Sequence, residues 1–147
     1  MNRSAAHPLA TLTSRGTAVA LLGVAGLHLA WGAGSSFPLP SRDELADAVI
    51  GADEVPPAAA CAAVAAALVG AAALVAGRPA LPRRLRTIGI LGVTATLAGR
   101  AALGFVNATE IVSPASTSIR FQHLDRRVYA PLCAALAAGS AASLATG

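Results

Sequence analysis

Four long apolar stretches limit what this chain can fold into more than any other feature of its sequence. They run over residues 17–33, 58–76, 87–106 and 128–145. Each holds between 17 and 20 residues, and about 20 residues of α-helix cross the ~30 Å hydrocarbon core of a bilayer. Only Arg100 places a charge inside any of them. The sequence therefore predicts an all-α integral membrane protein, a bundle of four transmembrane helices.

The composition agrees with this fold and argues against other classes of protein. Of the 147 residues, 55% are hydrophobic and 12% are charged, whereas about a quarter of an average soluble domain is charged. All 11 basic residues are arginines, and they are scattered without interleaved aromatic residues, so nucleic-acid binding is not expected. The three histidines and two cysteines show no metal-ligand spacing. We therefore predict neither a metal nor a cofactor.

The first apolar stretch has a second interpretation as a signal peptide. Arginines precede it and small residues end it, which is the pattern of a cleaved leader. Three further spans follow, however, and cleavage would discard His28 and Trp31, the least lipid-like residues of the stretch. We interpret it as a retained span. Residues 1–16 then form a cytoplasmic tail, and residues 17–147 form a single domain.

The distribution of arginines predicts how the bundle is oriented. The N-terminal tail and the connection between the second and third spans carry six arginines, against four in the other two connections. Because basic residues favour the cytoplasmic side, both termini are predicted to be cytoplasmic in a multi-pass protein of the cell membrane. Three arginines fall on the outer side and weaken this prediction: Arg120, Arg126 and Arg127.

The first outer connection contains a helix signal of its own. Ser41 and Glu44 have the spacing of a capping box. Leu45 and Val49 then share one helical face, and Gly51 is suited to ending the helix. We predict a short amphipathic helix that lies across the outer mouth of the bundle.

Polar residues within the spans form the candidate site. Arg100 and His28 both lie on the order of 8 Å below the outer boundary, at ~1.5 Å per residue. An arginine within a span costs about 2.5–3.5 kcal/mol on insertion scales, so it should face a partner inside the bundle. Asp125 is the predicted partner, since it begins a stripe on the fourth helix. The candidate binding residues are His28, Trp31, Cys61, Arg100, Asp125, Tyr129 and Cys133, with Asp53 and Glu54 as loop candidates.

Structural roles remain open for the same residues. Arg100 is either a ligand-binding group or a clamp paired with Asp125 or Glu110. His28 and Trp31 share a helical face and also suit an aromatic anchor at the membrane boundary. The cysteines are either small apolar fillers or a disulfide between the second and fourth helices.

Four segments carry a resemblance to a known family. They are residues 27–38 (LHLAWGAGSSFP), 51–57 (GADEVPP), 100–104 (RAALG) and 124–133 (LDRRVYAPLC). From about Thr17 to Ser140 the chain resembles a family of small four-span bacterial membrane proteins, frequent in actinobacteria, that is catalogued as a domain of unknown function. The resemblance implies a four-helix membrane fold and carries over no catalytic residue.

Two classes of function are compatible with this pattern. The first is a non-catalytic protein whose outer cluster binds a lipid or quinone-like ligand, or which is an accessory of a larger membrane complex. The second is a membrane-embedded enzyme for a lipid-soluble substrate, with His28 or Asp125 as proton carrier. Because the sequence shows no nucleophile–base pair and no metal set, it favours binding over catalysis.

Overall fold

The computed structural model describes residues 3–78 and 80–146, and the side chains of residues 10–78 and 80–145. Within these residues the chain is all-helical, as predicted. Its helices are α1 (Arg3–Gly32), α2 (Arg42–Leu45), α3 (Ala58–Val75), α4 (Arg83–Phe105), α5 (Ile119–Leu124) and α6 (Ala130–Ala142). A turn of wider, π-type hydrogen bonding continues α2 over Ala46–Ile50, and another joins α5 to α6 over Asp125–Tyr129.

Four helical segments are long and apolar enough to cross a membrane: Ala10–Gly32, Ala58–Val75, Arg83–Phe105 and Ile119–Ala145. Only 17–33% of the residues in their apolar windows are buried inside the protein, so most of the helical surface faces outward. Lipid tails are as apolar as the side chains that face them, so such a surface needs no protein cover. The fold is a four-helix bundle suited to a membrane.

Several helices extend beyond the apolar stretches of the sequence. α1 begins at Arg3, inside the segment interpreted as a tail, and the fourth span begins at Ile119, well before residue 128. Apolar composition marks only the part of a helix inside hydrocarbon, and the helix continues where water or a cap satisfies its backbone groups. Ser118 supplies such a cap by accepting a 3.3 Å hydrogen bond from the Phe121 amide.

The helices associate mainly as two pairs. α1 packs along α3, α4 packs along α6, and contacts between α1 and α6 join the pairs. A central apolar cluster fills the interior, formed by Ala18, Leu21, Ala71, Ala72, Val75 and Leu136. A second cluster of Trp31, Leu45 and Cys61 lies nearer one end. We call that end the cap end, because the connections 33–57 and 106–118 meet there, and the opposite end, with the α3–α4 connection, the base end.

The predicted amphipathic helix is present at the cap end. Ser41 accepts a 3.2 Å hydrogen bond from the Glu44 amide, as in a capping box. Leu45 is fully buried and packs onto Trp31. Gly51 ends the helix in a left-handed conformation with φ of 77°. The helix therefore covers the cap end of the bundle through its apolar face.

Backbone hydrogen bonds fasten this helix to the α4–α5 connection. The amides of Thr117 and Ser118 donate to the Gly51 carbonyl at 3.0 and 3.2 Å. The Ser116 hydroxyl donates to the Ile50 carbonyl at 2.5 Å. The two connections thus form one cap, and the side chains that the sequence singled out lie beneath or beside it.

Candidate functional site

Arg100 and Asp125 form a two-bond ion pair between α4 and the fourth span. Arg100 Nη2 donates to Asp125 Oδ1 at 2.7 Å, and Nη1 donates to Oδ2 at 3.2 Å. Thr109 adds a third hydrogen bond to the same carboxylate, from its hydroxyl to Oδ2 at 2.5 Å. The Asp125 side chain is 2% exposed and that of Arg100 is 29% exposed. The predicted pairing of Arg100 with the first residue of the stripe on the fourth helix is therefore present, whereas Glu110 is exposed.

Gly104 allows the two helices to approach closely around this pair. A Cβ atom at Gly104 would lie 2.8 Å from the Ala130 Cβ and 3.0 Å from both Arg100 Nη1 and Asp125 Oδ1. A residue with a side chain would therefore separate the helices or displace the ion pair. We call Arg100, Asp125 and Thr109 the clamp. Because the Asp125 carboxylate already accepts three hydrogen bonds within it, the geometry of the clamp is that of a structural contact.

A second group of candidate residues surrounds Trp31 at the cap end of α1. The Trp31 indole donates to the Phe37 carbonyl at 2.7 Å, and its side chain is 7% exposed beneath Leu45. His28 Nδ1 lies 2.9 Å from the Val24 carbonyl, so this nitrogen carries a hydrogen and donates it. The interpretation of Trp31 as an anchor at the membrane boundary is wrong. The helix over residues 42–50, which we call the cap helix, covers the Trp31 side chain.

Arg42 holds this group in place, although sequence reasoning did not single it out. Its Nη1 donates to the carbonyl of Trp31 at 3.1 Å, near the end of α1. A guanidinium there also compensates the partial negative charge at the C-terminus of a helix. In the sequence, Arg42 is a lone arginine in the connection that follows the first span. Its contact with α1 cannot be foreseen there, because it forms only when the connection folds back.

The two cysteines are free thiols in different surroundings. Cys61 is buried in the cluster under the cap, with its Sγ 3.6 Å from the Pro56 carbonyl oxygen. Cys133 is half-buried on α6. The disulfide considered from the sequence is therefore not formed in this structure, and Cys61 packs as a small apolar residue.

Tyr129 connects the fourth span to the cap. Its hydroxyl donates to the Ala48 carbonyl at 3.0 Å, and its ring lies 6.2 Å from that of Phe121. Among the described residues, no hydrogen bond, ion pair or ring contact joins the Trp31 group to the Arg100–Asp125 pair. The single polar cluster expected from the sequence is therefore two groups.

The loop candidates Asp53 and Glu54 are exposed, and neither forms an ion pair with a described residue. Arg120 is the cation that pairs with acids of the cap. It lies 3.5 Å from Asp47 and 3.8 Å from Glu44, while Asp47 also accepts a hydrogen bond from Ser118. No three acids, histidines or cysteines of the described chain lie close enough to hold a metal ion.

A groove beside α5 contains two arginines that sequence reasoning did not assign to the site. It has a volume of about 440 Å³, and we call it the arginine groove, with walls formed by Phe105, Ile119, His123, Arg126 and Arg127. Phe105 is 43% exposed and Ile119 is 75% exposed. Neither Arg126 nor Arg127 forms a salt bridge with an acid in the part of the chain that the structure describes. In the sequence, these two arginines fall on the predicted outer side, where the positive-inside rule disfavours basic residues, and this was the feature that could have pointed to them.

Comparison with known families gives one result. A family model described as "Protein of unknown function (DUF3995)" matches residues 21–140, most of the chain and all four spans apart from the first part of α1 and the last residues. Comparison with curated proteins and with solved structures gives no match.

Proposed function

We propose that this chain, which belongs to the DUF3995 family of proteins of unknown function, is a non-catalytic membrane protein that binds an anionic lipid headgroup in the arginine groove. The observation that carries this proposal is a cleft that combines charge with apolar surface. Arg126 and Arg127, which form no salt bridge with a described acid, line it together with the exposed side chains of Phe105 and Ile119. An anionic amphiphile has the matching chemistry.

The location of the groove supports a lipid rather than a soluble anion. Phe105 ends α4, and Ile119 begins the fourth span, so the groove lies where hydrocarbon gives way to headgroups. Arg126 and Arg127 can extend their guanidinium groups to the headgroup level from there. Basic residues near an anionic membrane surface contribute about 1 kcal/mol each, so two arginines correspond to roughly 30-fold in affinity.

The bonding of the other candidates supports a binding role over catalysis. Asp125 accepts three hydrogen bonds in a buried clamp, and His28 donates to its own helix. A proton carrier must instead reach the proton it transfers. The Tyr129 hydroxyl, a candidate donor to a quinone carbonyl, is bonded to the cap. These groups therefore support the fold. The arginine groove, in contrast, presents polar groups that a ligand can reach.

We further propose that the protein lies in the cell membrane with both termini cytoplasmic, so that the groove faces the outer leaflet. Six arginines on the tail and the second connection support this orientation against four on the other two connections. Reporter fusions after Arg86 and after Gly147 should both score cytoplasmic, and one at Gly51 should score external. A cytoplasmic score at Gly51 would reverse the orientation.

The lipid proposal is tested by native mass spectrometry of the protein in a neutral detergent, titrated with phosphatidylglycerol or phosphatidylcholine. We expect the wild-type chain to retain phosphatidylglycerol preferentially. The double variant Arg126→Gln, Arg127→Gln should weaken the binding of one retained phosphatidylglycerol by about 10- to 30-fold. Arg120→Gln is the matched control. It removes one arginine from the same segment, but Arg120 lies outside the groove and forms salt bridges with Asp47 and Glu44.

Three outcomes would contradict the proposal. The first is equal retention of the two lipids by the wild-type chain. The second is an equal loss of binding per charge removed in the groove variant and in Arg120→Gln. The third is conversion of the bound lipid to a product, which would favour an enzyme.

A further inference from the structure

The base end of the bundle holds a second cleft, built from different residues. It lies between α1, the end of α3 and the start of α4, with a volume of about 410 Å³. Arg15 from α1 and Arg86 from α4 both line it, together with the hydroxyl residues Thr11 and Ser14. We call it the base cleft. It shares no residue with the arginine groove, and the proposal below does not depend on the function of that groove.

Arg86 is only partly satisfied within the protein. Its Nη2 donates to the Ser143 carbonyl at 3.2 Å, which fixes the guanidinium against the end of α6. Its Nε is buried and has no hydrogen-bond partner among the described residues. A buried donor without an acceptor is costly, and nearly all such donors in native proteins are bonded to a protein group or to an ordered molecule such as water.

No acidic side chain of this chain is available to be that partner. All seven acids lie toward the cap end: Asp43, Glu44, Asp47, Asp53, Glu54, Glu110 and Asp125. The connection that leads into α4 carries Arg78, Arg83 and Arg84 in addition to Arg86. These arginines therefore have no Asp or Glu side chain of the protein at their end of the bundle.

The start of α4 adds to the positive potential of the base cleft. The residue before the helix is Pro82, which gives no side-chain cap, and the first turn holds no acid. The first amides of an uncapped helix carry partial positive charge and favour an anion nearby. Arg15 approaches from α1, so two guanidinium forks from different helices face one cleft. Arginine binds the oxygens of phosphate through parallel hydrogen bonds, which suits this arrangement.

We propose that the base cleft binds a phosphate-bearing anion through Arg15 and Arg86, either the headgroup of an anionic phospholipid or free inorganic phosphate. The anion accepts from the Arg86 guanidinium, which Ser143 already orients, and from Arg15. It neutralises the end of the bundle that has no acidic side chain. Bound there, it also connects α1 to α4, two helices that are not the main packing partners of one another.

The experiment uses the full chain carrying Arg126→Gln and Arg127→Gln, so that binding at the arginine groove does not contribute. Phosphatidylglycerol is titrated in a neutral detergent, and bound lipid is counted by native mass spectrometry. We expect one retained lipid, with Arg15→Gln weakening its binding about fivefold, since one basic residue is removed. Arg86→Lys should also weaken it, because lysine keeps the charge but loses the Nε donor and the planar fork.

Arg84→Gln is the matched control, because Arg84 lies at the same end of α4 and is exposed outside the base cleft. It should change binding by less than about twofold if the site is specific. Millimolar inorganic phosphate that displaces the lipid would extend the site to the free ion, and a failure to displace would assign it to the lipid alone.

Equal weakening by Arg84→Gln and Arg15→Gln would overturn the proposal, because it would show a diffuse attraction of charge. Unchanged binding in Arg86→Lys would remove Arg86 from the site. Neither result bears on the arginine groove, because all of these variants are compared in a background that already lacks Arg126 and Arg127.

Discussion

The cap end and the base end of this bundle are held together in different ways. At the cap end, directional bonds cross between elements: the Arg100–Asp125–Thr109 clamp, the Tyr129 hydroxyl on the cap helix, and the backbone bonds to Gly51. At the base end, the helices meet through small residues, and the charges are all arginines. Acidic side chains are confined to the cap end.

The difference reflects what each environment makes favourable. Burial of apolar area between helices is worth little in lipid, so association there depends on close packing of small residues and on interhelical hydrogen bonds. A connection outside the hydrocarbon is wet and needs specific polar contacts to take one conformation. The cap end has such contacts within the chain, whereas the base end has arginines and no acidic side chain.

Breaking the clamp should have the largest effect on stability. Asp125→Asn leaves the Arg100 guanidinium without its counter-charge, and we expect a loss of about 2–3 kcal/mol in the free energy of unfolding, less than for a fully buried pair because Arg100 is partly exposed. Arg100→Leu should cost a similar amount. Thermal and denaturant unfolding in detergent measures both variants. The double variant should lose less than the two single losses combined; additive losses would show that the pair is not coupled.

Gly139→Ala tests close packing in the base half. A Cβ at Gly139 would overlap the Thr17 hydroxyl, which is held by a 2.9 Å hydrogen bond to the Thr13 carbonyl. We expect a loss of about 1–2 kcal/mol in the free energy of unfolding, from overpacking of α1 against α6. Gly23→Ala is the control, because no atom lies within 4 Å of the added Cβ. Equal stability of the two variants would exclude a close-packed contact at Gly139.

Tyr129→Phe tests one cap contact without changing the packing of the ring. The variant removes the hydrogen bond to the Ala48 carbonyl and keeps the contact with Phe121. We expect a loss of about 1 kcal/mol in stability, together with faster hydrogen exchange of the amides in the cap helix. Unchanged exchange there would mean that the hydroxyl does not hold the cap.

Arg120→Gln should have the smallest effect. Its ion pairs with Asp47 and Glu44 are about half exposed, and exposed pairs contribute less than about 1 kcal/mol. The loss of stability should be about 0.5 kcal/mol at low ionic strength and should diminish in 0.5 M salt, as expected for screened charges. A large loss that salt does not reduce would mean that Arg120 supports the cap by packing.

Two parts of the fold and site could be predicted from the sequence because they follow from local rules. The capping box at Ser41 and Glu44 identified the cap helix, since hydrogen bonding at a helix start involves neighbouring residues. Arg100 predicted its own pairing, because a charge in a span needs a partner and Asp125 begins the polar stripe on the fourth helix, where a long arginine side chain can reach it. Shared depth did not predict which residues meet, however. His28 and Arg100 lie on helices that place them in separate groups.

The number of spans, their apolar extents and the separation of acids from the base end follow from the sequence alone, because hydrophobicity and charge are properties of each segment. The folded structure is needed to show that the cap covers Trp31, that Thr109 completes the clamp, and that Arg15 and Arg86 line one cleft. These facts depend on how helices are rotated about their axes and how connections fold back. Rotation in a lipid environment is set by contacts between helices, and no single segment contains that information.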